Sequence, residues 1–289
     1  MSGNAKRKMK EFCFRFDVDT IRCIREGVPN LVELANKLGI KFTFFVNFGR
    51  AISHKVTLNI LTDNIPEKTF EETPYKLSAR RKLGNKFYLL TAIVNPKVGT
   101  STLDNVRSIY ENGNEMGLHG GKNHALWQVY GHGWSKDKIR NEIGWALEII
   151  EEKDIVKPEG FASPGWSGSR NLHLVLEELG FLYVADDHAP DSIAIYPADK
   201  GHNLLHIPTN ITGPGGAGYI EAMVAKGLNP SEIEEDFKRH LETKSLAVVY
   251  DHPYFAGVEV LEIIPRLLDV ADKAGFEILT MKEIVKDAK

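Results

Sequence analysis

Residues 12–29 read FCFRFDVDTIRCIREGVP, and the change of period inside that stretch sets the architecture. Phe12, Phe14, Phe16 and Val18 alternate with Cys13, Arg15 and Asp17, the two-residue period of an extended chain, so the run is a β-strand. The alternation then breaks into a polar loop. Apolar residues return at Val28, Leu31, Val32, Leu34, Ala35 and Leu38, a helical spacing closed by Gly39, where a helix-ending glycine belongs. Residues 40–48 (IKFTFFVNF) are almost continuously apolar, as in a strand buried on both faces. The opening unit is therefore strand, loop, helix, strand.

Residues 49–99 interrupt this rhythm. They hold a helix-like patch at 56–61, a turn-rich part with Pro66 and Pro74, a basic cluster (Lys76, Arg80, Arg81, Lys82, Lys86) and an apolar run at 87–94. We read them as an insertion over the site. Its plain reading is a solvated basic helix packed by an apolar one; a membrane contact is the alternative. Alternation then resumes, with helices expected at 103–112, 135–152 (Ser135 as cap), 170–179, 231–242 (Ser231 as cap), 258–273 and 281–286. Strands are expected at 115–118, 160–163, 181–185, 204–207, 246–250 and 277–279. So many alternations predict an α/β fold, a distorted (β/α) barrel of parallel strands with outer helices, in one domain over 1–289.

Composition narrows the function. A net charge of −3 gives no general attraction to nucleic acid, and two cysteines make no disulfide framework. The N-terminal residues lack the apolar core of a signal peptide, and no apolar run is long enough to span a bilayer. The expected location is cytoplasmic, with a peripheral membrane contact left open.

Chemistry-bearing residues cluster at the C-terminal ends of different strands: Asp17 and Asp19, His119, Pro164-Gly165-Trp166, Asp186 and His252. In a parallel barrel those ends share one face, where active sites form. Asp17 and Asp19 fall on the same side of an extended chain, and two carboxylates that close repel unless a cation separates their roles. One then ligates a metal while the other stays free as a base. Without a metal, the pair is simply a solvated strand end. His119 and His124 lie in GLHGGKNHALW, where Gly120 and Gly121 let the loop curl. Two imidazoles and a carboxylate form a common three-ligand catalytic set with a position open for water. His252 follows the apolar strand LAVVY and is suited to carry a proton; the plainer alternative is a histidine bonded into the barrel rim.

Together these residues resemble the polysaccharide deacetylase family with its NodB-homology domain. FDVDT resembles the first motif, GLHGGKNH the histidine motif, FASPGW the substrate-groove motif, YVADD the acidic motif and VVYDHP the motif of the general acid. DVDT with REGVP is similar to a branch that deformylates an amino sugar carried on a lipid phosphate. The resemblance implies Asp17 as base, His252 as acid and Asp186 as the partner that orients the acid–base machinery. It implies Asp19, His119 and His124 as ligands of a divalent metal, zinc first, with cobalt, nickel or manganese as alternatives. Arg22 and Arg25 are expected to meet a substrate phosphate, with a surface ion pair to Glu26 as the plainer alternative, and Trp127, Pro164, Gly165 and Trp166 to line the sugar site. The expected partner is a small amino sugar or lipid-linked sugar, and the expected reaction is removal of an N-formyl or N-acyl group. Departures are the histidine spacing, with Asn123 rather than His at i+4, and Ala162 where the groove motif carries Arg. Either His124 ligates from a longer loop or Asn123 replaces a ligand. Other readings are an N-deacetylase, or an inactive barrel that binds a glycan or lipid carrier.

Overall fold

The computed structural model describes residues 10–56, 79–192, 194–198 and 203–288. Nine strands form one sheet: β1 Lys10–Val18, β2 Thr43–Val46, β3 Glu115–His119, β4 Gly160–Ala162, β5 Tyr183–Val184, β6 Tyr196–Pro197, β7 Leu205–His206, β8 Leu246–Asp251 and β9 Phe276–Ile278. Their order is β6-β7-β5-β4-β3-β2-β1-β8, with β9 also on β1, and every pairing is parallel except β6 with β7. The sheet curls into a half-barrel with helices outside it, as the alternation predicts.

β1 organises the molecule. Its odd and even positions serve different layers. Phe12, Phe14, Phe16 and Val18 face the helices, and their rings interlock with Phe42 and Phe44 at centroid distances of 5.2 to 6.4 Å. Cys13 faces the interior with Phe45, Tyr183, Ala185, Ile207 and Val248. Arg15 and Asp17 share Cys13's side of the strand and end it in charge.

The barrel's open side is bridged by the segment after β7. Ile211 pairs with Val249, its amide donates to Val248 O (3.0 Å), and Tyr250 N returns a bond to Ile211 O (3.1 Å). Asn210 adds its side chain: Oδ1 accepts from Val248 N (2.9 Å), and Nδ2 donates to Leu246 O and Ser192 O (2.7 Å each).

Several elements differ from the sequence reading. The loop expected after Asp19 is helical from Ile21, because the Thr20 hydroxyl caps it through Cys23 N (3.3 Å). It runs through a π-turn, Cys23–Gly27, into the expected helix Val28–Leu38, which ends at Gly39 in the left-handed region. Gly27 is required at that turn, since a Cβ there would sit 2.1 Å from Pro253 O. The helix expected at 231–242 is Pro230–Glu242, capped by Asn229 rather than Ser231. That expected at 258–273 starts at Ile263. Helices His124–Tyr130 and Tyr219–Ala225 and the short antiparallel β6 were not expected. In the insertion, residues 57–78, and with them Pro66, Pro74, Lys76 and most of the 56–61 patch, lie outside the described residues. The helix Ala79–Ile93 breaks at Gly84 (φ 70°), and its apolar run is only half packed.

Candidate metal and catalytic centre

Asp17 is aimed by its own strand. Arg15, two residues earlier on the same face, grips it with both arms of the guanidinium: Nε to Oδ1 at 2.9 Å and Nη2 to Oδ2 at 2.8 Å. Arg15 is fully buried, donates Nη1 to Ala185 O (2.7 Å) and Thr209 Oγ1 (2.9 Å), and lies against the rings of Trp166, Phe45 and Tyr250 at 4.6 to 5.3 Å. Burial works against the charge, but the Asp17 carboxylate outweighs it and raises the guanidinium's pKa. The sequence reading passed over Arg15, although an arginine amid an apolar strand at i−2 from an aspartate was the available signal.

Asp19 lies just past β1 and meets both expected imidazoles. His119 ends β3 and donates Nδ1–H to Ala162 O (2.9 Å), since a carbonyl can only accept. In the neutral imidazole that bond places the lone pair on Nε2, 3.2 Å from Asp19 Oδ1. His124 Nε2 is 3.2 Å from the same oxygen and 3.2 Å from His119 Nε2. Asp19 Oδ1 is buried without a hydrogen-bond partner. Three electron-pair donors converging out of water need positive charge among them, and two imidazoles with a carboxylate suit a divalent transition ion. The residues present fit the group the family implies. Asp19 already behaves as an anion: burial opposes ionisation, but His124 and His252 hold its carboxyl well below the usual range.

The loop question has a geometric answer. Asn123 is the N-cap of the helix His124–Tyr130; its Oδ1 accepts from Leu126 N (2.9 Å) and its Nδ2 donates to Ile52 O (2.8 Å). It is occupied as a cap, and His124 is the residue turned to Asp19. Gly120, at φ 75°, lets the chain double back between the two histidines. Asp17 Oδ2 stands 3.8 Å from His119 Nε2, but Arg15 holds both its oxygens, so it borders the donor set rather than joining it.

His252 faces the centre from β8. Nε2 is 3.3 Å from Asp19 Oδ2 and 2.9 Å from the Tyr250 hydroxyl. Nδ1 is 2.8 Å from Glu221 Oε1. Burial disfavours the imidazolium, yet Glu221 and then Asp19 raise its pKa well above the usual value. Glu221 sits on the helix Tyr219–Ala225, whose first turn is fixed by Asp251: Oδ2 accepts from Ile220 N (2.6 Å) and Glu221 N (3.3 Å), Oδ1 from His252 N (2.9 Å). The orienting partner assigned to Asp186 is thus Glu221. Asp186 Oδ1 instead accepts from Ser163 N (2.8 Å), pinning the exit of β4 to that of β5, and Oδ2 lies 4.0 Å from His173 Nε2.

The remaining expectations divide. Trp166 lines the centre: its ring covers the Arg15 guanidinium and its Nε1 donates to Gly216 O (3.0 Å). The turn Pro164–Trp166 holds it there, with Gly165 at φ 62° and Trp166 itself at φ 56°. Trp127 does not line it; fully buried, it packs on Trp134 and Phe161 as core. Arg22 is already matched by Glu259 (2.9 Å) and Glu26 (3.3 Å), so neither it nor Glu26 offers a free phosphate grip. Among the described residues Arg25 donates to neutral groups, Thr102 Oγ1 and Ser101 O (3.1 Å each).

Comparison with known proteins identifies the family and the fold. Residues 4–184 match the polysaccharide deacetylase family profile. Over 260 residues the chain is 24% identical to a probable 4-deoxy-4-formamido-L-arabinose-phosphoundecaprenol deformylase of Wigglesworthia glossinidia brevipalpis, covering 90% of this chain and 87% of that protein. A probable polysaccharide deacetylase from Pseudomonas aeruginosa PAO1 superposes with a TM-score of 0.62 at 13% identity, covering 96% of this chain and 89% of that one. A polysaccharide deacetylase structure from Mycobacterium smegmatis gives 0.60 at 17% identity, covering 97% and 91%. The profile spans more than half of the chain, including Asp17, Asp19, His119 and His124, and the chain belongs to the polysaccharide deacetylase family: it is a hydrolase of amide bonds.

Proposed function

We propose that the protein is a metal-dependent deformylase of an amino sugar, with a sugar carried on a lipid phosphate as the substrate class. The observation that carries this reading is the convergence of Asp19, His119 and His124 on one point, with Asp17 clamped on one side and His252 braced on the other. The formamido sugar named for the relative supports formyl over acetyl. A pocket separates the two groups, which differ by one methyl, by only about 1–3 kcal/mol, so acetyl sugars are expected as slower substrates.

Asp19, His119 and His124 would hold the metal, zinc first. When bound it polarises the amide carbonyl and acidifies water. The chain's own residues do the rest. Asp17, aligned by Arg15, takes a proton from the attacking water as the water oxygen bonds the formyl carbon. His252, held by Glu221, gives a proton to the sugar nitrogen as the C–N bond breaks, leaving the free amine and formate. Arg15, capped by Trp166 and bonded inside the barrel, keeps that charge from water.

The test measures metal content and amine release from N-formyl and N-acetyl amino sugars. Asp19→Ala and His124→Ala are expected to lose the metal. Asn123→Ala keeps it and costs only a cap, about 1 kcal/mol of stability. Asp17→Asn keeps the metal while kcat falls on the order of 10²–10⁴-fold. Metal lost from Asp17→Asn and kept in Asp19→Ala would reverse the assigned roles.

A further inference from the structure

Seven large apolar residues stand exposed among the described residues, and four of them lie within 88–94: Tyr88, Leu89 (65%), Ile93 (76%) and Val94 (58%). The opposite face of the helix beyond the Gly84 break is packed, with Phe87 and Thr91 buried at four-residue spacing. Between Glu72 and Asp104 the sequence has no carboxylate and six cations: Lys76, Arg80, Arg81, Lys82, Lys86 and Lys97. The chain as a whole carries −3, so this one-signed segment is set apart from the rest.

Residues 84–95 lie at the site's rim. A Cβ on Gly84 would lie 3.0 Å from Arg22 Cδ, and Phe87 faces the Arg25 guanidinium at 5.9 Å. At the other end Arg50 donates Nη1 to the carbonyls of Val94 (3.2 Å) and Asn95. Arg50's backbone in turn bonds Lys122 O (3.0 Å) and His124 N (2.9 Å), the loop of a metal ligand. The exposed face therefore stretches along the C-terminal end of the barrel, from the helix that follows Asp19 to the loop of His124.

We propose that this face docks on an anionic lipid bilayer and turns the mouth of the barrel toward it. Apolar side chains flanked by Lys82 and Lys86 match the acyl boundary and the headgroup charge together. A second copy of the chain is the poorer fit, because a two-fold contact would set the lysines beside the apolar residues, Lys82 and Lys86, against their own copies. No helix among the described residues is long and apolar enough to cross the bilayer, so the contact is peripheral. The proposal rests on the reading of a lipid-phosphate-linked substrate, whose headgroup would then meet the site without leaving the surface.

The experiment is flotation of the full chain with phosphatidylcholine vesicles, with and without phosphatidylglycerol, at low and high salt. We expect capture by the phosphatidylglycerol vesicles that falls with salt. The triple variant Leu89→Ser, Ile93→Ser, Val94→Ser should bind about tenfold less or weaker still, as should Lys86→Glu. Hydrolysis of a soluble N-formyl amino sugar should stay unchanged in both. The proposal is overturned if wild type does not float, if both variants float equally well, or if light scattering shows a dimer that the triple variant dissolves. Flotation needs no turnover, so a protein that floats yet is inert toward every formyl sugar sinks the assigned reaction and leaves this contact standing.

Discussion

A guanidinium sealed from solvent is stable only with a carboxylate in reach, and Asp17 needs Arg15 for the same reason. Breaking such a pair on one side leaves an uncompensated buried charge, at about 3–5 kcal/mol. Arg15→Met is therefore expected to lower the melting temperature and kcat together while metal content holds. Arg15→Lys keeps the charge but not the two-armed grip, and should recover stability better than turnover. Metal lost from Arg15→Lys would show that the arginine serves the donor set instead of the base. Asp17, Asp19, His119 and His252 were legible in the sequence because each closes an apolar strand and none of its neighbours explains it. Arg15 was hidden inside such a strand, where it counted as one more alternating polar residue. Glu221 was hidden differently: it follows the glycine-rich TGPGGAGY, and only the folded chain brings its helix to His252. Asp186 misled because an aspartate after a strand looks the same whether it serves chemistry or ties two strand exits together.

Elements were read correctly where periodicity ran long, as at Val28–Leu38 and Lys136–Glu152, and less well where a few side chains set the ends. The helix Pro230–Glu242 shows why. Proline favours the first helical position, which moves the cap back to Asn229. There the side-chain oxygen accepts from Ser231 N (3.0 Å) and Glu232 N (3.1 Å), and Glu232 answers to Asn229 N (2.8 Å). Asn229→Ala should cost about 1 kcal/mol in chemical denaturation and Ser231→Ala less than half as much. An equal loss from both would restore the serine as cap. The helices His124–Tyr130 and Tyr219–Ala225 were missed because seven residues are too few for a period to declare itself.

For the whole molecule, two layers of core explain why the barrel tolerates a charged interior: the phenylalanine side bears the packing, and the inner side is free to carry chemistry. One consequence is a pH dependence away from the centre. His206, on β7, is buried against Tyr196, and burial lowers its pKa to about 4. Unfolded, it titrates near 6.5, so below that pH the unfolded chain binds the extra proton and stability falls as pH drops toward 4. The margin of wild type over His206→Gln, which does not titrate, should shrink by roughly 2–3 kcal/mol between pH 7 and 4. A margin that widened on acidification would show a charged His206 in the native state. The strand order has a further consequence at its join. Most staves of this barrel are held along their edges, but the last gap is spanned by Ile211 and the amide of Asn210. The residue just before them, Thr209, gives Arg15 one of its anchors. Any breathing of that join slackens the clamp on Asp17, so the same few bonds that keep the cask shut also hold that carboxylate in line.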